Sequence, residues 1–389
     1  MTTRQTHLTA TATRQTHLTT TRQTPEVAPD AVYVTGWGVA SPLGMGAADF
    51  SKAFVEERDA LADVTAMFEE KLPAERAFAI PDFQVRDHLG RKGTRFFDRS
   101  TALALVACDQ TLQDTGFAVT DENRGQVGLI LGTTSGSVKS TSDFSRETIT
   151  EDRPYLVNPV LFPNAVMNCA AGQAAIWYGL KGVNTTIAGG RMAGIAALRY
   201  ASRSLRWGDA DALLVGAVEE FSPHNAWLTH LPGGSAPAGE GAALVMLERG
   251  EALLASGRRP DAEIMAVASA SADPADRPAF VEAFADCVRQ ALREAGVVSG
   301  DLWAVAPGSG PESAIETATL EAGLGGDTVR RLPVARLVGE CHAAQGALQL
   351  AAVLAHHRQD AALDGRPALI TSFTPEGGVG AAVVRGWQR

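Results

Sequence analysis

The residues best suited to nucleophilic chemistry in this 389-residue sequence are the adjacent pair Cys341-His342. A cysteine thiolate attacks carbonyl carbon, and a histidine beside it can accept the proton that the thiol must first lose. The pair comes just before an alanine- and leucine-rich stretch that predicts a helix over residues 343–356. A polar residue that simply starts this helix is the competing interpretation of His342, and both interpretations stay open.

The composition narrows the classes of function. The sequence has four scattered cysteines and no CxxC pair, so neither a disulfide framework nor a metal site is predicted. We expect buried, reduced thiols in a cytoplasmic protein. A net charge of −10 argues against a nucleic-acid partner, because phosphate binding depends on clustered Lys and Arg. No apolar run approaches the roughly 18–20 residues that a membrane-spanning helix needs, so no membrane partner is expected.

Predicted strands and helices alternate along most of the chain. In the first half, strands are predicted at 31–35, 127–131, 185–188, 212–217 and 242–247, and helices at 47–57, 100–115 and 192–207. The first strand is expected to end at Gly36 and Gly38. In the second half, strands are predicted at 262–270, 301–306, 368–372 and 379–385, and helices at 278–295 and 343–356. This alternation indicates a parallel-sheet α/β protein, and the repeated rhythm suits a duplicated, five-layered αβαβα body.

The N-terminus is a low-complexity repeat in which Thr3–Thr9 recurs as Thr13–Thr19. It has almost no large apolar side chains, so it cannot bury enough surface to offset the entropy of ordering. We predict a disordered threonine-rich tail over residues 1–30. The two halves of the fold are then expected at residues 31–250 and 251–389.

Six motifs in order resemble those of β-ketoacyl synthases. They are Val34–Gly44 (VTGWGVASPLG), Phe97–Arg99, Glu122–Arg124, Val127–Thr133 (VGLILGT), the stretch from Asn158-Pro159 to Asn184, and Gly239–Ala242 (GEGA). The resemblance covers about residues 31–389. It implies an α/β protein with the thiolase-like duplicated αβαβα five-layer fold.

The resemblance also implies where catalytic groups should be. The family acylates a cysteine at a strand-to-helix elbow, and two histidines stabilise the enolate formed by decarboxylation, with a lysine supporting the second histidine. The matching positions here are Arg191 for the cysteine, Pro307 and Glu340 for the histidines, and Ala335 for the lysine. A guanidinium stays protonated and cannot act as a nucleophile at neutral pH. We therefore expect no catalytic residues and no activity of this chain by itself.

Two of these replacements carry opposite charges and should face each other in this fold. We predict that Arg191 and Glu340 form an ion pair that fills the former catalytic pocket, because a lone buried charge would cost several kcal/mol. The alternative is that Arg191 turns outward to solvent or contacts a backbone carbonyl.

A homologue without catalytic residues resembles a chain-length factor, the ketosynthase beta subunit of a type II polyketide synthase. The resemblance implies a heterodimer with an active ketosynthase, joined at the edge of the strand Thr185–Ala188, and an acyl-chain tunnel at the interface. No cofactor is expected to bind directly, because the acyl chain is carried on the phosphopantetheine of an acyl carrier protein, the second expected partner. The residues that the resemblance places on the tunnel are Thr134, Ser135, Thr141, Phe144, Leu161 and Phe162.

Several alternatives stay open at this point. Core packing is the competing interpretation of Phe144, Leu161 and Phe162. Many chain-length factors have glutamine where this chain has Arg191, so a partner for a reducing or polyene-making synthase competes with one for an aromatic-polyketide synthase. A divergent active ketosynthase or acyltransferase using Cys341-His342, and a scaffold homologue that shapes no tunnel, are the rival functions.

Overall fold

The structure is a computed structural model that describes residues 26–231, 236–308 and 313–387. Most of the predicted tail, residues 1–25, lies outside the described residues. So does most of the Pro307–Pro311 stretch that the resemblance matches to the first histidine motif.

The strands and helices follow the predicted alternation. The strands are β1 Val32–Ser41, β2 Gly44–Met45, β3 Ala62–Asp63, β4 Arg76–Ala77, β5 Val127–Thr133, β6 Asn184–Ala188, β7 Ala212–Glu219, β8 Gly241–Arg249, β9 Ala262–Ser271, β10 Ala304–Pro307, β11 Pro367–Phe373 and β12 Gly378–Gly386. The helices are α1 Gly46–Val55, α2 Val85–Leu89, α3 Arg99–Thr115, α4 Val138–Thr150, α5 Cys169–Tyr178, α6 Ala193–Trp207, α7 Pro223–His230, α8 Gly250–Ser256, α9 Arg277–Ala295, α10 Ala314–Gly323, α11 Val334–Val338 and α12 Gln345–Gln359. Short 3-10 turns, Gly190–Met192 and His342–Ala344, come just before α6 and α12.

The sheet shows the duplication directly. Its strand order is β10-β11-β12-β9-β1-β8-β7-β5-β6, with β2 paired to β1. On the first-half side, β1, β8 and β7 are successively antiparallel, and β5 and β6 continue parallel to β7. On the second-half side, β9, β12 and β11 are successively antiparallel, and β10 is parallel to β11. The counterpart of β6 is reduced to a single parallel bridge between Val305 and Arg331 among the described residues.

Helices α6 and α12 form the central layer. Each of them contacts strands of both halves, and they contact each other. Helices α3 and α5 cover the outer face of the first-half strands, whereas α9, with α10 beside it, covers the second-half strands. The predicted αβαβα fold is therefore confirmed. Strands β5, β7 and β8 are buried on both faces, which explains their nearly continuous apolar sequences.

Two predictions were wrong. The sheet is mixed rather than parallel: β5 runs parallel to β6 and β7, and β10 to β11, whereas the other neighbouring strands are antiparallel. Strand β1 does not end at Gly36 and Gly38 but continues to Ser41. These glycines are needed because α3 lies directly on the strand: a Cβ on either residue would come within 2.5 Å of the backbone of Thr115 or Ala107. Helix α5 was not predicted, because its alanine- and glycine-rich sequence has no amphipathic stripe and no side-chain N-cap.

The four cysteines are buried, as predicted, and none of them forms a disulfide in the described parts of the chain. No helix in those parts of the chain is long and apolar enough to cross a bilayer.

Candidate functional site

Arg191 lies on the tight turn between β6 and α6. Gly190 makes this turn with a φ of +50°, a conformation that glycine adopts without steric cost. The backbone carbonyl of Arg191 accepts a hydrogen bond from the Ser372 hydroxyl of β11, at 3.0 Å. Residues of both halves thus fix the strand-to-helix elbow that carries Arg191.

Glu340 lies across from this elbow, on the connection between α11 and α12. Its backbone is hydrogen-bonded to the segment that precedes β8: the Glu340 N–H donates to the Pro237 carbonyl at 2.9 Å, and the Glu340 carbonyl accepts from Gly239 N–H at 2.8 Å. The starts of α6 and α12 approach closely, because a Cβ on Gly194 would lie 2.8 Å from the nitrogen of Ala347. This close crossing brings the side chain of Glu340 to the elbow.

Arg191 and Glu340 form a two-pronged ion pair. Arg191 Nε donates to Glu340 Oε1 at 2.9 Å, and a terminal guanidinium nitrogen donates to Oε2. The side chains are 26% and 11% exposed, so the charges are largely removed from water and depend on each other. The predicted pair is confirmed, and the outward-facing alternative for Arg191 is wrong.

His342 sits between this pair and α7, with its Nδ1 3.6 Å from Glu340 Oε1. Its Nε2 lies 2.8 Å from the Thr229 hydroxyl of α7, while its backbone N–H donates to Glu340 Oε1 at 3.2 Å. Burial lowers the pKa of the ring, with Glu340 opposing and Arg191 reinforcing this shift. The imidazole is therefore neutral at neutral pH and held by a hydroxyl.

Cys341 is an inert thiol in this setting. It is fully buried, and its Sγ donates to the Val338 carbonyl at 3.1 Å. Burial raises its pKa well above the usual value, and the charges of nearby glutamates add to the shift. Because the thiolate is the nucleophilic form, this environment opposes the attack that the Cys341-His342 hypothesis requires.

The other two replaced positions contribute no ionisable group. Pro307 ends β10, where it pairs in register with Thr371 of β11. Ala335 lies in the short helix α11, one turn before Gly339. The structure thus brings Arg191 and Glu340 into contact, whereas Pro307 and Ala335 stand on the neighbouring strand and helix.

The predicted tunnel residues fall into two groups. Thr134 and Ser135 lie on the loop after β5, where Ser135 is exposed and the Thr134 hydroxyl donates to Glu219. The second group lies on α4 and the segment packed against it. There, the Phe144 and Phe162 rings meet with centroids 5.8 Å apart, Thr141 bonds the Ser137 carbonyl, and Leu161 is half-buried.

The core-packing interpretation of the bulky residues is wrong. Helix α4, which contains Phe144, has no buried residue, and Phe162 is 57% exposed. These aromatic rings pack on each other at the surface of the chain rather than inside it.

With this geometry established, comparison with known proteins gives the family. The model of the β-ketoacyl synthase N-terminal domain matches residues 30–231, just over half of the chain. This chain belongs to the β-ketoacyl synthase family. A solved structure of the ishigamide ketosynthase/chain length factor is 37% identical, with a TM-score of 0.83, over 92% of this chain and 99% of that one.

More distant members of the family agree on the fold. The 3-oxoacyl-[acyl-carrier-protein] synthase 2 of Vibrio harveyi is 28% identical over 191 residues, which is 49% of this chain and 46% of the relative. The matched region therefore spans about half the length of that curated relative. The AntDE:AntF assembly, a type II PKS acyl-carrier protein with its ketosynthase bound to the hexaketide, is 21% identical, with a TM-score of 0.70 over 92% of this chain.

Two carboxylates that sequence reasoning missed lie at the end of β7, between the loop after β5 and the turn that precedes α12. Glu219 accepts hydrogen bonds from Thr134, from Ala343 N–H at 3.2 Å and from the Asn225 side chain. Glu220 accepts from the Ser137 hydroxyl and from Lys139 N–H, at 3.1 and 3.2 Å, at the start of α4.

Burial raises the pKa of Glu219 to about 7 and that of Glu220 to about 8. The signal that could have found them is a pair of acids immediately after the apolar strand predicted at 212–217. Together they tie the loop after β5 and the start of α4 to the centre of this ketosynthase fold.

Proposed function

We propose that this chain is a non-catalytic chain-length factor, which pairs with an active ketosynthase and shapes the tunnel that holds the growing acyl chain. The observation that carries the proposal is the Arg191–Glu340 pair. It fills the place of the family's nucleophile and one of its histidines with two mutually neutralising groups. Neither can form an acyl thioester or stabilise an enolate as an imidazole would.

The resemblance to the ishigamide ketosynthase/chain length factor supports a place in a pair of that kind, since it extends over nearly all of both chains at 37% identity. The rival use of Cys341-His342 has weaker support, because the thiol is buried and the imidazole bonds Thr229. The buried cysteines, which carry free thiols, also fit a reducing, cytoplasmic environment for the proposed complex.

The surface of the chain supports a partner subunit. Around α4, α5 and the segment between them, several large apolar side chains are exposed: Ile149, Tyr155, Leu156, Val160, Phe162, Val166, Met167 and Ile176. Concentrations of this kind mark protein interfaces. Strand β6 ends the sheet next to this surface, so the backbone groups on its outer edge are available for pairing with a strand of the partner.

A second surface suits an acidic carrier protein. Arg91, Lys92 and Arg95 are exposed between α2 and α3, and none of them forms an ion pair within the described ranges. Arg91 and Arg95 border a groove of about 470 Å³ whose lining also contains Arg86, Arg99 and one carboxylate, Asp98. In this proposal the chain binds no cofactor directly, and the acyl chain reaches the complex on the phosphopantetheine of the carrier protein.

The test is acylation of the heterodimer by an acyl-loaded carrier protein, followed by intact-protein mass spectrometry of both subunits. We expect the acyl group on the ketosynthase cysteine and none on this chain. An acyl adduct on this chain would overturn the proposal. A scaffold role would instead be indicated if exchange of this chain for a homologue left the product lengths unchanged.

A further inference from the structure

Helix α6 has an exposed face that is unusually rich in arginine for a chain with a net charge of −10. Arg199, Arg203 and Arg206 recur at helical spacing and line a groove of about 560 Å³ between α6, β9 and α9. Glu294 of α9 lines the same groove, but none of the three arginines forms an ion pair with a carboxylate in the described parts of the chain. Arg203 lies over the ring of Trp207, which is 66% exposed, at 4.0 Å. We call these three arginines the α6 arginine face.

The neighbours of α6 fix the direction in which this face points. Helix α12 contacts α6 on one side and packs against β8, whereas α6 packs against β5, β6 and β7. The face of α6 turned away from α12 therefore looks toward the same side as the free edge of β6. Arg199 also donates to Ser269 on the part of β9 that lies beyond its short pairing with β1.

This direction matters if β6 pairs edge to edge with a partner strand. Helix α6 lies over β5 and β7, so its axis is about two strand spacings from the two-fold axis of such a pair. With strands about 4.8 Å apart, the two α6 axes would lie about 19 Å from each other on one face of the shared sheet. Helices with side chains are about 10–12 Å wide, so a gap of roughly 7–9 Å would separate them. The ends of arginine side chains from both subunits fill a gap of that width.

We propose that the α6 arginine face selects the partner: it repels a second copy of this chain and binds a carboxylate-bearing helix face of a different ketosynthase subunit. The inference rests on the proposed function, because it assumes the β6 interface. In a self-pair, six guanidinium groups would confront one another across the gap, which opposes association. In a mixed pair with an acidic counterpart, the same groups form charge-assisted hydrogen bonds. The Arg and Trp content of the face is also typical of residues that dominate binding energy.

The test needs only this chain and a charge-reversed variant, Arg199→Glu/Arg203→Glu/Arg206→Glu. Each protein alone should stay monomeric, since each presents like charges to itself. A one-to-one mixture should associate with an apparent Kd at least about tenfold lower than either protein alone at low salt. Because the Debye length falls to about 3 Å at 1 M salt, that advantage should shrink there. Analytical ultracentrifugation measures all three samples.

A matched control reverses the same number of charges elsewhere, as Arg91→Glu/Lys92→Glu/Arg95→Glu. Its mixture with the unaltered chain should not associate, and a mixture that does would overturn the inference. So would a monomeric mixture of the unaltered chain with the α6 variant. The proposed function fails separately: Thr186→Pro, which blocks the β6 edge, would then leave binding of an active ketosynthase unchanged.

Discussion

The arginine that precedes α6 and the three arginines along it have opposite surroundings. Arg191 is about three-quarters buried, and two nitrogens of its guanidinium donate to the two carboxylate oxygens of Glu340 in the same chain. The three residues of the α6 arginine face are exposed and form no ion pair in the described structure, although Glu294 lines the same groove. The charges at the elbow are thus paired within one chain, whereas those of the outer face are open to solvent. If the proposed function is right, the surface rather than the elbow carries it.

The largest expected effect comes from breaking the interior pair. Glu340→Ala leaves Arg191 largely buried without a counter-charge, and should lower the free energy of unfolding by about 2–4 kcal/mol. The double variant Arg191→Met/Glu340→Leu removes both charges and keeps the volume, so it should lie within about 1 kcal/mol of the unaltered chain. Urea unfolding monitored by circular dichroism measures both.

An exposed ion pair supplies the control. Arg336 and Glu57 form a pair in which both side chains are about half exposed, so Glu57→Ala should change the unfolding free energy by no more than about 0.5 kcal/mol. Equal losses in the single and double variants at the elbow would contradict the mutual dependence of Arg191 and Glu340.

The Arg191–Glu340 pair could be predicted from sequence because a single buried charge is costly, and two opposite charges buried at the same place stabilise each other. The five layers could be predicted because the repeated αβ rhythm and six ordered motifs constrain them, whereas the antiparallel pairing of most strands could not, since it depends on contacts distant in sequence. Glu219 and Glu220 could not, because their importance depends on which backbone groups the fold brings to them. The length of β1 depended likewise on the close approach of α3 to Gly36 and Gly38, a tertiary contact that no local pattern encodes.

The next largest effect is the pH dependence of stability that comes from the two buried carboxylates, Glu219 and Glu220. Their pKa values, about 7 for Glu219 and about 8 for Glu220, exceed those of an unfolded chain, so the protonated forms stabilise the fold. That stability is complete below about pH 4.5 and is lost as the pH rises through 7 and 8. His356 and His357 act oppositely, since burial lowers the pKa of each to about 4, and their contribution is complete above about pH 6.5.

Above pH 6.5 the glutamates alone should therefore set the slope among these groups. We expect the free energy of unfolding to fall between pH 6.5 and 8.5, and Glu220→Gln to reduce that fall by about 1–2 kcal/mol. Glu251→Gln, at a side chain that is 70% exposed, should run parallel to the unaltered chain. A Glu220→Gln curve that also ran parallel would show that this carboxyl ionises as freely when folded as when unfolded.

The smallest effect on stability, and the most informative about the outer surface, is expected at the predicted tunnel. Ser135 is exposed and Phe144 is half-buried and packs against the exposed Phe162, so Ser135→Phe and Phe144→Ala should each change the unfolding free energy by less than about 1 kcal/mol. If these side chains line the acyl tunnel of the heterodimer, a phenyl ring at 135 should shorten the product and its loss at 144 should lengthen it. Mass analysis of products from the reconstituted complex measures the shift.

Thr150→Ala, at the exposed far end of the same helix, is the matched control and should leave the lengths unaltered. Unchanged lengths in both test variants would place the tunnel wall elsewhere, and the comparison between a closed interior and a working surface would then rest on the α6 arginine face alone.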